Sequence, residues 1–262
     1  MRMAKLKHTA LHWREDGAAD GPVVVFANSL GTDLRLWDAV VDRLPKHLRL
    51  IRFDKRGHGL SACPPGPYSI DDLAADTLEL LDHAAVAQCT FVGLSIGGMI
   101  AQALAAQAPE RITALVLSNT AARMGDPAMW QQRIDAINAG GIQALSDAVM
   151  ERWFAPGFLA SQAHLPWRHM LERTPRAGYI GCCQALAGAD LTATTQQLSQ
   201  PTLGIAGSLD GASPPALVEA TIDLIADSRF TLIEDTGHLP CVEAPDAFAG
   251  ALTDFLKELG HV

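Results

Sequence analysis

The chain has 262 residues, 48 % of them hydrophobic and 19 % charged, which suffices for a packed core and excludes a disordered or fibrous chain. A formal net charge of −9 without any Lys/Arg run excludes a nucleic-acid-binding surface and argues against docking on an anionic membrane. The five cysteines, Cys63, Cys89, Cys182, Cys183 and Cys241, are odd in number and irregularly spaced, so they read as free thiols of a reducing compartment, and nowhere does a metal-ligand spacing occur.

At the N-terminus Arg2, Lys5 and Lys7 precede Leu11, His12, Trp13, Arg14, Glu15 and Asp16 rather than an apolar run. No signal peptide is therefore expected, and the expected location is the cytoplasm. The first apolar stretch, residues 23–27, is far too short to span a bilayer and reads as a buried strand. Further strands are predicted at 48–53, 89–94, 112–117, 202–206 and 230–233. Their near-continuous apolar character implies a mostly parallel sheet covered on both faces. Helices are predicted between them. One runs over 70–85 behind the capping residue Ser69, and one over the Ala-rich stretch 96–107 before Pro109. Two more open at Pro214-Pro215 and at Pro245. This alternation gives an α/β fold with a doubly wound sheet. It breaks over 121–198, where helix formers and aromatics dominate and no strand is expected. The expected organisation is thus a core of residues 1–120 and 199–262 carrying a helical lid, 121–198, over the sheet edge where such folds bind ligands.

The chemistry-bearing signal is Gly93-Leu94-Ser95-Ile96-Gly97, which joins a predicted strand to a predicted helix. That is the setting of a nucleophile elbow: the turn is too sharp for a side chain at either glycine, and it presents the Ser95 hydroxyl at the sheet edge. A serine needs a base, and His238, in Asp235-Thr236-Gly237-His238 after the last strand, is placed to supply one. The base needs an acid to hold its tautomer. Asp210, after strand 202–206, completes the order Ser, Asp, His; Glu234 and Asp235 are rivals, but they adjoin the histidine in sequence. Backbone N–H groups of Ile96 and of Leu30, in the loop Ala27-Asn28-Ser29-Leu30-Gly31, are the expected oxyanion donors. The segment Asp54-Lys55-Arg56-Gly57-His58-Gly59 reads as a tight structural turn rather than a second catalytic centre. Gly97-Gly98 lacks the lysine of a phosphate loop. Neither a cofactor nor a metal is expected.

Along nearly its whole length the chain resembles the α/β-hydrolases, and more narrowly the 3-oxoadipate enol-lactonases. The narrower match rests on Asn28-Ser29-Leu30-Gly31-Thr32-Asp33 with Leu36-Trp37, on residues 54–61, and on Gly93-Leu94-Ser95-Ile96-Gly97-Gly98-Met99-Ile100. The segment 121–198 adds Glu151-Arg152-Trp153-Phe154 and Gly178-Tyr179-Ile180-Gly181-Cys182-Cys183. The resemblance implies a serine hydrolase that opens an anionic enol-lactone through an acyl-enzyme on Ser95, in aromatic-compound breakdown.

Such a substrate carries a carboxylate and calls for a cation in the pocket. The segment 121–198 holds six arginines and six acids, so the whole −9 falls on the rest of the chain. Arg133 is the first candidate, because Trp130 lies three residues before it on the same helix face; Arg152 and Arg176 come next. Trp130 and Trp153 are candidate walls of the pocket. The alternatives are another carboxylesterase or carbon–carbon bond hydrolase of the same fold, with a perhydrolase side activity, and a non-catalytic ligand-binding receptor. Turnover of a simple ester separates the last from the rest.

Overall fold

The computed structural model describes residues 1–262. Eight strands form one sheet: β1 (Arg2–Lys5), β2 (Ala10–Gly17), β3 (Val23–Ala27), β4 (Arg49–Phe53), β5 (Cys89–Leu94), β6 (Ile112–Ser118), β7 (Thr202–Gly207) and β8 (Ser228–Ile233). Their spatial order is β1-β2-β4-β3-β5-β6-β7-β8. β2 pairs antiparallel with both β1 and β4, and every other neighbouring pair is parallel. The central strands β5 and β7 are buried at every residue, as strands covered on both faces must be.

The sequence analysis starts the sheet at β3, so β1 and β2 are additions. Their signal is weak because only part of each strand is buried: β2 encloses Leu11, His12 and Trp13 but leaves its charged half near solvent. Cross-strand ion pairs hold that half instead. Glu15 pairs with Arg2 on one side and Arg49, at 2.7 Å, on the other, and Arg52 reaches Asp16 at 2.6 Å.

Eight longer helices accompany the sheet: α1 (Ile70–His83), α2 (Ile96–Gln107), α3 (Pro127–Gly140), α4 (Ser146–Trp153), α5 (Leu165–Glu172), α6 (Arg176–Gly188), α7 (Pro215–Ile222) and α8 (Pro245–Glu258). α1 starts on a full capping box, Ser69 and Asp72 each bonding the other's backbone N–H. The predicted and observed bounds of α2 coincide, and its first ten residues are all buried. Helices α3 to α6 all lie between β6 and β7, joined by short helical turns, with no strand among them. No helix is long and apolar enough to cross a membrane.

The strand order reverses at β3: the chain goes from it to β4 on one side and then crosses over to β5 on the other. Loops leaving the carboxyl ends of β3 and β5 therefore diverge and leave a crevice, the place where open α/β sheets bind ligands. Two glycines make the junction possible. A Cβ on Gly93 would lie 2.2 Å from the Gly97 carbonyl oxygen, and one on Gly97 would lie 2.2 Å from that of Ala27. Helix α2 thus starts in backbone contact with the end of β3. Gly97→Ala should lower stability by about 1–3 kcal/mol, as overpacking of rigid surroundings does. A melting temperature equal to that of the parent would show that the junction can yield.

Candidate active site

Ser95 joins β5 to α2 with φ 60° and ψ −122°, a backbone conformation that costs an L-residue about 1–3 kcal/mol. The neighbourhood enforces it. The Ser95 N–H donates to the Ser118 carbonyl at 2.9 Å, and the Thr120 hydroxyl donates to the Ser95 carbonyl at 2.7 Å. The end of β6 and the loop after it thus grip both sides of the turn.

His238 is buried, and its Nδ1–H donates to Asp210 Oδ2 at 2.9 Å. The carboxylate is fully occupied: Oδ2 also accepts from Asn119 Nδ2 at 2.9 Å, and Oδ1 accepts the N–H groups of Ala212 and Ser213 at 2.7 and 2.9 Å. Burial works to raise the Asp210 pKa, but His238, Asn119 and Ser213 outweigh it and hold the group below the usual carboxylate range. The rivals Glu234 and Asp235 are exposed. The histidine loop is held from the α4 side: the His238 N–H donates to the Trp153 carbonyl at 2.8 Å. Glu243 accepts the N–H groups of Gly237 and Ala155 at 2.7 and 2.8 Å, tying the two segments together.

The loop after β3 supplies Leu30, whose N–H donates to no protein acceptor. Ile96 is the first residue of α2, where an N–H has no turn below it to bond. His58 does not reach this space. Its ring is buried behind the loop and accepts the Gly31 N–H on Nε2 at 3.0 Å, with its pKa pushed well down by burial and by Lys55.

Ser95, His238, Leu30, Trp130, Arg133 and Trp153 line one cavity, with Asp210 behind the histidine. Ser95 and His238 share this wall without a direct hydrogen bond, a contact that commonly tightens only when substrate binds. Sequence reasoning ranks Arg152 second, yet it lines the same wall. Neither Arg133 nor Arg152 has an acidic partner. Arg123 and Arg168 pair with acids, and Arg176 bonds Asn138 outside the cavity. Arg133 stands 5.1 Å over the Trp130 ring and donates to the Tyr179 hydroxyl at 3.5 Å. Burial pushes the Tyr179 phenol up to about 12, so it gives the cation no counter-charge. Burial, and then the like charge of Arg133, disfavours the charged form of Arg152.

Asn119 and Glu243 escape the sequence analysis. A signal for Asn119 exists: Ser118-Asn119-Thr120 puts polar residues at the carboxyl end of a buried strand beside β5. Glu243 gives no such signal, since an acid in a short helical turn reads as surface.

The sequence model of the alpha/beta hydrolase fold matches residues 22–245. A curated 3-oxoadipate enol-lactonase of Acinetobacter baylyi is 37 % identical over 250 residues, covering 95 % of this chain and 93 % of that protein. A second enol-lactonase of the same organism is 32 % identical, covering 93 % and 92 %. The crystal structure of the enol-lactonase from Burkholderia xenovorans LB400 superposes with a TM-score of 0.94 at 38 % identity, covering 98 % of this chain and all of that one.

Two outcomes are expected from this geometry. Ser95→Ala should stay folded and lose nearly all turnover; more than a few per cent of the parental kcat would exclude a serine nucleophile. Asp210, held below the usual carboxylate range, should stay ionised at neutral pH, and its charge should be needed to orient and support His238: Asp210→Asn should lower kcat at least about 100-fold. Parental kcat in that variant would contradict an orienting acid at this position.

Proposed function

The chain belongs to the α/β-hydrolase family, and we propose that it opens the lactone ring of 3-oxoadipate enol-lactone to give 3-oxoadipate, with Ser95 as nucleophile, His238 as base and Asp210 as its orienting acid. The reading places the protein in the β-ketoadipate route of aromatic-compound breakdown. The relatives named enol-lactonase support the substrate. The observation that carries the reading is the pair of arginines without acidic partners on the wall of the serine cavity. A cavity for a neutral ester has no use for two partly desolvated cations, whereas a substrate carboxylate buried without a partner would be costly.

The chemistry follows from the positions. The Ser95 hydroxyl oxygen attacks the lactone carbonyl while the free nitrogen of His238 takes its proton. Negative charge gathers on the carbonyl oxygen, for which the N–H groups of Leu30 and Ile96 are the donors. Collapse breaks the bond between the acyl carbon and the ring oxygen. The leaving group is an enolate, a weaker base than an alkoxide, and protonated His238 returns the proton to it. The released enol becomes a ketone while the chain stays esterified to Ser95. Water, deprotonated by His238, attacks this ester; the second tetrahedral species expels the Ser95 oxygen, which takes that proton back from His238, and 3-oxoadipate leaves. Asp210 keeps Nδ1 protonated throughout, so the other nitrogen faces the reaction. The helical segment 121–198 acts as the lid: it brings the arginines and Trp130 and Trp153, and its α4 end holds the histidine loop.

Arg133→Ala and Arg152→Ala test the carboxylate site. Each should lower kcat/KM for the enol-lactone by about 1.5–3 kcal/mol, roughly 10- to 150-fold, the range of a charge-assisted hydrogen bond. A neutral aryl ester should be hydrolysed nearly as well as by the parent. Equal losses on both substrates would mean that the arginines only support the lid. No loss on either would remove the carboxylate site.

A further inference from the structure

We infer that Lys55 is a positioning residue for the oxyanion hole, its buried ammonium holding the carbonyls of the loop after β3 on the far side of the loop so that the Leu30 N–H stays free for the reacting carbonyl. The inference rests on the acyl-enzyme reading above. Segment 54–59 reads from sequence as a structural turn, and the side chain of Lys55 does more than close one.

The loop 28–32 is short and its polar groups are nearly all committed. Lys55 Nζ donates to the Ser29 carbonyl at 2.6 Å and lies 3.4 and 3.5 Å from those of Asn28 and Thr32. The Ser29 carbonyl also accepts from the Thr32 N–H at 3.3 Å and the Thr32 hydroxyl at 2.9 Å. Asn28 Nδ2 donates to the Thr32 carbonyl, and the Gly31 N–H is taken by His58. Gly31 allows the reversal with φ +76°. One cation thus gathers three carbonyls, and the direction in which carbonyls point decides where the intervening N–H groups face. The Leu30 N–H is left without a protein acceptor.

Lys55 is 2 % exposed and has no carboxylate within ion-pair distance, so it is an expensive way to fill space. A packed hydrophobe of similar length would cost less. The charge is useful here as a donor to carbonyls, as a fixed cation on the buried side of the loop. The groups that face it are Asp33 of the loop, Cys182 of α6, and Asp54 and His58 of its own segment. Burial pushes Lys55 down to about 8, with the carboxylates of Asp54 and Asp33 working the other way. Burial also lifts the Cys182 thiol to about 12 and lowers His58, leaving both neutral near pH 8. The sign follows: below about pH 8 the ammonium holds the loop, and above it the neutral amine has one donor fewer and no charge. Turnover should therefore decline as pH rises through that value.

The test uses the full-length protein with its active sites titrated by a fluorophosphonate, so that kcat is expressed per reactive serine. Lys55→Met should lower kcat roughly 10- to 100-fold on both the enol-lactone and an aryl ester, the scale of a displaced oxyanion donor. KM should stay within about twofold, since ground-state binding is untouched. Affinity for an arylboronic acid, which forms an anionic tetrahedral adduct on the serine, should fall by a similar factor, and the alkaline decline should vanish. A merely structural role would lower the titratable fraction and leave kcat per site unchanged, which would overturn the inference. If Lys55→Met does not fold, the parent still decides: its kcat should fall through about pH 8 at constant titratable fraction, and a level profile there would refute the assignment. Turnover in Ser95→Ala would instead overturn the acyl-enzyme reading itself, an outcome distinct from retained per-site kcat in Lys55→Met.

Discussion

The structure depends on a close approach of backbones where β3, β5 and α2 meet. The strand order reverses at β3, and only there do neighbouring loops part to leave room for a ligand. Gly93 and Gly97 let the elbow fold tightly enough for α2 to begin against the end of β3. With that distance set, the Ser95 turn, the Ile96 N–H and the Leu30 N–H must share a small volume. The strained φ of Ser95 belongs to this packing: the end of β6 and the loop after it hold the turn by its N–H and its carbonyl, so strain at the serine is offset by bonds from the next strand and its loop.

The parallel strands and α2 were legible in the sequence because each buries a continuous apolar run between glycine or proline signals. The elbow was legible because its chemistry needs specific residues at specific spacing. β1 and β2 were not, since their charges are satisfied by neighbours distant in sequence, such as Glu15 by Arg49. Asn119, Glu243 and Lys55 share that property. Each acts through a partner fixed only by the fold: Asp210 lies 91 positions from Asn119, and Ala155 lies 88 positions from Glu243. The arginines show the boundary within one segment. Their number and the aromatic at i−3 of Arg133 are sequence facts, but which of them lack acidic partners depends on where Asp147, Glu172 and Asp190 fall.

The segment 54–59 also explains why two stretches far apart in sequence accompany one another. Gly57 and Gly178 meet backbone to backbone; a Cβ on Gly178 would lie 2.2 Å from the Gly57 carbonyl oxygen. The turn behind the loop after β3 is therefore seated against α6, the helix that carries Tyr179 and, through it, contacts Arg133. Displacement of α6 would be felt on both sides of the cavity: by the loop that carries Leu30 and by the Arg133 side chain.

Electrostatically, the cavity inverts the character of the molecule around it. The chain carries −9 overall, yet the one carboxylate in contact with His238 is engaged by four donors, so its charge is largely answered locally. Arg133 and Arg152 face the same space, and Arg133 disfavours charge on Arg152. Guanidinium groups do not relieve such repulsion by losing protons. An anion between them does, so a ligand carboxylate gains both its own attraction and the removal of their mutual repulsion. A neutral ester gains neither. In the proposed function the wall would thus discriminate by charge before any contact with the reacting carbonyl is made, from a helical segment, 121–198, whose own charges cancel. The acidic surface outside repels anions at a distance, but mobile salt screens it beyond about 8–10 Å, whereas the partly buried pair is screened far less. Selectivity for an anionic substrate is thus compatible with a strongly acidic chain, because the two fields act over different ranges.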